Sequence, residues 1–446
     1  MGIYIPQHKV QSLLKYKYSS TDLSLTSKYV LNPFWNKLVL LFPKSMAPNA
    51  ITLLGLSLIF FNFLTLLYYN PTLSCGTKPV PVSLGGTWDP LFKPHRTIPS
   101  STVSNLLSWV RDRLGAPPAI LGGTGGGTQC PPNWVYFSFA VGLFAYQSLD
   151  AIDGKQARRT GTSGPLGELF DHGCDAINTT LGAILTASAL NLGLSWWTVA
   201  SLIATNCNFY LSTWEEWHTG TLFLSAFSGP VEGILIVVAL FTVTGFKGPE
   251  FWDTGILTVL GISPSSLPFH VKNLPLNDFF LLFSSVGLVF NIITATHNVY
   301  LSLPASSRTP ASLAKPLSRL SPWIIHTAAM LTWLFAKEAI VLRTTLFLPF
   351  AFLWGISFAH HVQLLILAHL TKSKFPAAWK HPLLMLSIVA SVDANLPTWV
   401  GIDSVVQSSD ERTKATVFAC LAIALVVYSH FVWEVVGDIC AFYDIK

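Results

Sequence analysis

The chain has 446 residues, of which 51% are hydrophobic and only 11% are charged. An average soluble protein carries about 25% charged residues, so the composition predicts a polytopic membrane protein and excludes a chain of ordinary soluble domains. The net charge is only +5, and no basic stripe is interleaved with aromatic residues, so we expect no nucleic-acid partner. The six cysteines form no CxxC pair, which removes support for a zinc or thioredoxin-like site.

Residues 1–45 place lysines among aromatic and aliphatic residues. The apolar residues recur at helical spacing, as Leu31, Phe34, Trp35, Leu38 and Leu41. This pattern predicts a cytosolic segment containing an amphipathic helix that lies on an anionic membrane surface. Packing of the same residues on a helical bundle would also account for the spacing, and the two interpretations do not exclude each other.

Residues 46–69 form the first predicted membrane span, close to the ~20 residues that cross a bilayer core. Pro48 suits the first turn of a helix. Asn49 follows it, and its amide has the donor and acceptor needed to contact a nucleobase edge. Helix capping is the alternative role for Asn49, because asparagine is a preferred capping residue.

Residues 70–132 are rich in Pro, Gly, Ser and Thr and contain no apolar stretch long enough to span. We expect a long, partly flexible loop on the luminal side. Its glycine run at 122–127 is not a phosphate-binding loop, because no Lys-Ser or Lys-Thr follows it. Cys75 and Cys130 flank the loop and could form a disulfide there.

Nine further apolar stretches follow, so the predicted fold is an all-α polytopic membrane protein with about ten transmembrane helices in residues 46–440. The expected spans lie near 133–149, 171–192, 198–213, 221–243, 277–302, 319–336, 344–370, 382–400 and 413–440. Lysines and arginines are concentrated in the short loops on the N-terminal side of the membrane. The positive-inside rule therefore makes that side, and both termini, cytosolic.

Acidic residues are concentrated between the second and third spans. Asp150 and Asp153 precede a Gly/Arg-containing turn, and Asp171 and Asp175 follow it. Residues three or four apart share one face of a helix, so two facing helices would bring four carboxylates around one space. Hard divalent cations such as Mg²⁺ or Mn²⁺ prefer such oxygen ligands. Intramembrane acids are costly unless they are paired or bind metal, which makes this cluster the main functional candidate.

The complete pattern is Asp150-x2-Asp153-Gly154-x2-Ala157-Arg158-x8-Gly167-x3-Asp171-x3-Asp175. It resembles the signature of the CDP-alcohol phosphotransferases without departure. The flanking strings APNAITLLGL and FYLSTWEEWHTGTL resemble the eukaryotic choline/ethanolamine phosphotransferases in particular. The resemblance runs from about Leu13 to the C-terminus, although the connection over 70–132 is much longer than is usual in the family.

The resemblance implies a reaction and a set of substrates. Phosphocholine or phosphoethanolamine would pass from CDP-choline or CDP-ethanolamine to diacylglycerol, giving a phospholipid and CMP. It assigns metal binding to Asp150, Asp153, Asp171 and Asp175, with two ions bridging the phosphates. Arg158 matches the family arginine and is assigned to the diphosphate, while Asn49 matches a family position for CDP-alcohol contact. Gly154 is small enough for a ligand to approach the backbone.

The acceptor hydroxyl needs a base, and the sequence leaves two candidates. Asp175 holds that role in much of the family, but metal coordination lowers the basicity of a carboxylate. His172 is the candidate that we favour, because histidine is suited to base catalysis and Glu168, four residues earlier, could fix its tautomer. A pocket for a cationic head group could be lined by Glu215, Glu216 and Glu232, with cation–π contacts from Trp214 and Trp217, although packing or interface anchoring is the simpler role for each of them.

Two other functions remain open. Another CDP-linked phospholipid synthase would share the signature, and an ion-coupled transporter would also carry intramembrane acids. Transporter sites lie near the membrane midplane, whereas these acids lie at the ends of spans, which favours the enzyme. The resemblance further implies a homodimer among membrane lipids of the endoplasmic reticulum, with the Golgi as an alternative location.

Overall fold

The computed structural model describes residues 2–15, 19–76, 130–224, 230–262, 273–378 and 381–445. These residues form ten long helices, which correspond to the ten predicted spans: α1 Pro48–Tyr69, α2 Asn133–Thr160, α3 Pro165–Ala189, α4 Trp196–Thr219, α5 Pro230–Lys247, α6 Leu276–Ser302, α7 Ser321–Ala336, α8 Phe347–Leu370, α9 Pro382–Val400 and α10 Asp410–Tyr443. Within the described residues, α1, α2, α6, α8, α9 and α10 are long and apolar enough to cross a bilayer. The all-α polytopic fold is confirmed, while the number of ten spans stays a prediction.

Shorter elements connect and flank the long helices. The short α-helices are Gln7–Val10, Asn32–Leu38, Ile256–Val259, Ala314–Ser318 and Glu338–Val341. Single turns of 3₁₀ or π-helix cover Gln11–Lys15, Ser27–Leu31, Val39–Leu41, Pro249–Asp253, Ala305–Ser307 and Pro310–Leu313. Two short strands, β1 Ser20–Asp22 and β2 Leu222–Leu224, pair in parallel and tie the N-terminal segment to the end of α4.

The N-terminal segment is helical mainly over residues 27–41 and is not one continuous helix. It ends there because Phe42 is extended, as is favoured for a residue before proline. Trp35 packs in a core cluster with residues of α1 and α2, whereas Phe34 and Leu41 are exposed. The apolar spacing therefore reflects packing on the bundle for some residues and an outward-facing apolar surface for others.

Helix α3 lies at the centre of the fold and packs against α1, α4 and α8. The crossing of α3 with α8 depends on two glycines. A Cβ on Gly173 would overlap the side chain of Gln363, and a Cβ on Gly355 would lie 2.5–2.7 Å from the Thr180 side chain. The two backbones approach closely because both positions lack a side chain.

A short turn joins α2 to α3 and sets the two aspartate pairs opposite each other. Gly161 ends α2 with φ 71°, a left-handed conformation that glycine adopts without strain. Pro165 then occupies the first turn of α3, where its missing N–H costs nothing. The chain thus reverses within a few residues, and the acids of both helices face one space.

The opposite end of the bundle carries a disulfide between Cys75 and Cys130. It joins the segment after α1 to the segment before α2. Asn191, after α3, accepts a hydrogen bond from the backbone N of Cys75 through its Oδ1 at 2.9 Å. The predicted loop over 70–132, with its glycine run, lies outside the described residues except at its two ends.

Candidate active site

Three of the four predicted aspartates converge between α2 and α3. One carboxylate oxygen each from Asp150, Asp171 and Asp175 lie within 4.8 Å of one another. Among the described residues, no donor hydrogen-bonds to the buried Oδ1 of Asp150 or of Asp171. Buried carboxylate oxygens without donors are suited to bind a cation, and three oxygens at this spacing fit a hard divalent ion.

The cluster is completed by the fourth aspartate, Asp153, and by two hydroxyl groups that hydrogen-bond to its carboxylates. Asp153 interacts with Asp171 across the two helices, and its Oδ2 accepts a hydrogen bond from the Thr52 hydroxyl of α1 at 2.6 Å. The buried Tyr146 hydroxyl donates to Oδ1 of Asp175 at 2.7 Å. Sequence reasoning missed Thr52 and Tyr146, although Tyr146 lies four residues before Asp150 and so on the same helical face.

His172 lies beside the aspartates and has a defined tautomer. Its Nδ1 lies 3.0 Å from the backbone carbonyl oxygen of Glu168 and 3.9 Å from Oδ2 of Asp171. A carbonyl oxygen only accepts, so Nδ1 carries the proton and Nε2 is the basic nitrogen of the neutral ring. The sequence suggested the Glu168 carboxylate for this contact, and the structure shows its main-chain carbonyl there.

The Glu168 carboxylate belongs to a second group near His172. Oxygens of Glu168 and Glu216 and a ring nitrogen of His369 lie within 4.8 Å of one another, and both glutamates are buried. Glu216 also acts electrostatically on His172. Sequence reasoning could not predict that His369 lies near this group, because His369 belongs to α8, nearly 200 positions further along the chain than His172.

The predicted substrate-binding residues share one cavity with the aspartates. Asn49, Gly154 and Arg158 line a cavity of about 1700 Å³. Asn49 is the second residue of α1, whose cap residue is Ala47 without a side-chain cap, so Asn49 does not cap the helix. A Cβ on Gly154 would meet nothing nearer than Nη1 of Arg158 at 3.5 Å, which leaves open space for a ligand.

Arg159 has a different role from its neighbour. Its Nη1 donates to the carbonyl oxygens of Val39 and Phe42, both at 2.8 Å. Arg159 therefore holds the N-terminal segment against α2, whereas Arg158 is exposed toward the cavity. By residue type alone, both adjacent arginines would be suited to bind phosphate.

The first two residues of the WEEWH segment, Trp214 and Glu215, have structural roles. Trp214 is fully buried, and its indole N–H donates to the Pro316 carbonyl at 3.0 Å. Glu215 accepts a hydrogen bond from Asn298 of α6 at 2.7 Å. Neither faces the cavity, so packing explains them better than contact with a cationic head group.

The cavity continues from the aspartates toward the membrane interior. Its wall on α3 extends from Asp171 to Thr186, a rise of about 22 Å at 1.5 Å per residue. Apolar residues of α5 and α6, including Val237 and Phe280, form the opposite side. The lining thus changes from acidic at one end of the helices to uncharged and mainly apolar farther from the aspartates.

Comparison with known proteins agrees with this arrangement. The profile of the family described as CDP-alcohol phosphatidyltransferase matches residues 105–262. Cholinephosphotransferase 1 of Saccharomyces cerevisiae is 36% identical over 100% of this chain and 97% of its own length. Choline/ethanolaminephosphotransferase 1 of the same yeast is 34% identical over 91% of this chain and 88% of its own. Choline/ethanolaminephosphotransferase 2 of Arabidopsis thaliana is 31% identical over 82% and 79%. With this identity across most of both chains, the chain belongs to the CDP-alcohol phosphatidyltransferase family.

Proposed function

We propose that this protein transfers phosphocholine or phosphoethanolamine from a CDP-alcohol to diacylglycerol, releasing CMP. The observation that carries the proposal is the carboxylate cluster of α2 and α3, which lies in a cavity that is polar at one end and apolar at the other. Such a cavity can receive a water-soluble nucleotide from its polar end and a lipid from its apolar end, so that their reacting groups meet at the carboxylate cluster. The names of the yeast and plant relatives support these two substrates.

Asp150, Asp153, Asp171 and Asp175 would hold Mg²⁺ or Mn²⁺, and we propose two ions. Bound metal would neutralise the charge that develops on the diphosphate. Arg158 would bind the same diphosphate, and Asn49 would contact the cytosine edge. Gly154 would let the phosphates approach the α2 backbone.

His172 would accept the proton of the acceptor hydroxyl at Nε2, while the Glu168 carbonyl holds Nδ1. The hydroxyl oxygen forms a bond to the phosphorus that carries the alcohol, the bond from that phosphorus to CMP breaks, and CMP leaves with the electron pair. Asp175 is the alternative base. Its Oδ1 already accepts the Tyr146 hydroxyl, and its charge is committed to the metal, so it is the weaker candidate.

The protein is a multi-pass membrane protein, and we propose the endoplasmic reticulum as its location, with both termini cytosolic. The Cys75–Cys130 disulfide supports this orientation, because disulfides persist in oxidising compartments. It lies at the end of the bundle away from the aspartates, which supports a cytosolic location for the aspartates. We further propose residues 1–45 as a cytosolic segment, residues 46–440 as the transferase domain, and a homodimer.

The test of the reaction uses purified protein and labelled CDP-choline or CDP-ethanolamine with diacylglycerol. We expect labelled phospholipid with Mg²⁺, none with EDTA, and a loss of at least a hundredfold in Asp153→Asn. The ratio of the two products sets the head-group preference. If neither donor gives product, whichever metal is added, the proposal is wrong and the other CDP-linked synthases are the next to assay.

The two candidate bases are separated by measuring metal binding together with turnover. We expect His172→Gln to lose turnover while Mn²⁺ still binds, as followed by electron paramagnetic resonance. Asp175→Asn should lose both properties. A His172→Gln enzyme with near-normal turnover would transfer the role of base to Asp175.

A further inference from the structure

One amide in the cavity has no partner for its oxygen. Asn178 of α3 is only 8% exposed and lines the cavity, and within the described residues its Oδ1 accepts no hydrogen bond and its amide nitrogen donates none. It lies three residues beyond Asp175, about 4.5 Å deeper along the helix. An unpaired buried amide is costly in a membrane protein, so a ligand in the cavity is the natural source of its partner.

Two further amides stand at a similar depth on the facing helices. Asn208 of α4 and Asn291 of α6 both line the cavity and hydrogen-bond to each other. Each lies about three turns from the end of its helix on the aspartate side, and Asn178 lies about three and a half turns from the start of α3. Below this level the cavity lining includes Gly182, Ala183 and Phe280 together with several serine and threonine hydroxyls, but no further amide. The amides therefore form a polar level between the reacting centre and the apolar end.

We propose that Asn178, assisted by the Asn208–Asn291 pair, binds the ester carbonyls of the diacylglycerol acceptor and so selects acyl esters over ethers. This inference rests on the proposed function. A diacylglycerol whose hydroxyl reaches the aspartates has its ester groups a few ångströms deeper and its chains beyond them. The N–H₂ group of the Asn178 amide can donate to such a carbonyl, whereas an ether lipid lacks this strong acceptor.

The experiment compares two acceptors in mixed micelles at equal mole fraction, 1,2-dioleoylglycerol and its diether analogue, with CDP-choline and Mg²⁺. We expect the wild-type protein to favour the diester about tenfold in kcat/KM, the effect of one buried hydrogen bond. Asn178→Leu should lose most of this preference by losing activity on the diester. The KM for CDP-choline should not change, because the nucleotide lies at the other end of the cavity.

Asn62→Leu is the matched control. Asn62 is also a buried asparagine with an unpartnered amide nitrogen, but it faces Gly142 of α2 and does not line the cavity. The Asn62→Leu variant should show the same preference for the diester as the wild-type protein. Asn178→Ala replaces Asn178→Leu if the leucine variant does not fold, with the same criterion.

The proposal is overturned if the wild-type protein does not distinguish the two acceptors, or if the folded Asn178 variant keeps the wild-type ratio. A wild-type protein that converts neither acceptor would instead contradict the proposed function itself. The two failures are therefore distinguishable in one set of assays.

Discussion

The carboxylates of the cluster are placed for function at a cost to the stability of the protein. Asp150, Asp171 and Asp175 lie within reach of one another, and among the described residues no lysine or arginine pairs with them. Like charges at this separation repel, so the metal-free protein carries an unfavourable interaction that bound metal would relieve. Functional sites commonly reduce stability in this way.

Asp171→Asn should therefore change stability in opposite directions with and without metal. In EDTA we expect the free energy of unfolding of the variant to exceed that of the wild-type protein by on the order of 1 kcal/mol, because one repelling charge is gone. Adding Mg²⁺ should stabilise the wild-type protein and leave the variant unchanged. Thermal unfolding in detergent, followed by intrinsic tryptophan fluorescence, measures both effects; a variant that still gains stability from Mg²⁺ would contradict the assignment of Asp171.

Tyr146→Phe should lower kcat/KM about tenfold, because it removes a hydrogen bond to a charged acceptor, Oδ1 of Asp175, and frees that carboxylate to rotate. Tyr210→Phe is the control, since Tyr210 is equally buried but its hydroxyl donates to the Arg319 carbonyl. The measurement is initial rate against acceptor and donor concentration. Equal effects of both substitutions would indicate a general loss of packing.

At the scale of residues, the sequence predicted the aspartates because their spacing along single helices determines their common face. It did not predict Thr52, which contacts Asp153 across the α1–α2 interface. It also could not separate Arg158 from Arg159, because adjacent residues on a helix point about 100° apart and only the packing partner decides their roles. Such cross-helix contacts depend on tertiary structure.

The α3–α8 crossing positions the second aspartate pair and His172, and it tolerates no side chain at Gly355. Gly355→Ala would place a methyl group against buried Thr180, and overpacking of this kind costs about 1–3 kcal/mol. Gly437→Ala on α10 has open space around it and should gain up to about 1 kcal/mol from helix propensity. We expect melting temperatures to move in opposite directions, and a neutral Gly355→Ala would show that the helices can separate without cost.

At the scale of elements, long helices were predictable because apolar length, Gly161 and Pro165 mark their positions and ends. The N-terminal segment was predicted less well. Its strand β1 depends on pairing with β2, more than 200 residues away. Sequence periodicity contains no information about such a partner.

The orientation of the whole molecule can be tested by cysteine labelling in sealed microsomes. The background replaces the free cysteines Cys174, Cys207, Cys420 and Cys440 with alanine. Ala311→Cys, exposed between α6 and α7, should react with a membrane-impermeant maleimide in intact vesicles. Asp403→Cys, exposed between α9 and α10, should react only after detergent is added. The reverse result would place the aspartates in the lumen.

The disulfide has a consequence for how this chain can change in length. Cys75 and Cys130 bring their Cα atoms to 4.8 Å from each other across a sequence separation of 55 residues. The covalent link fixes the exit of α1 and the entry of α2 whatever number of residues lies between them. Because closing a longer loop costs little extra entropy, a reporter domain inserted there should leave the helical bundle undisturbed, and evolution could lengthen or shorten that segment independently of the enzyme.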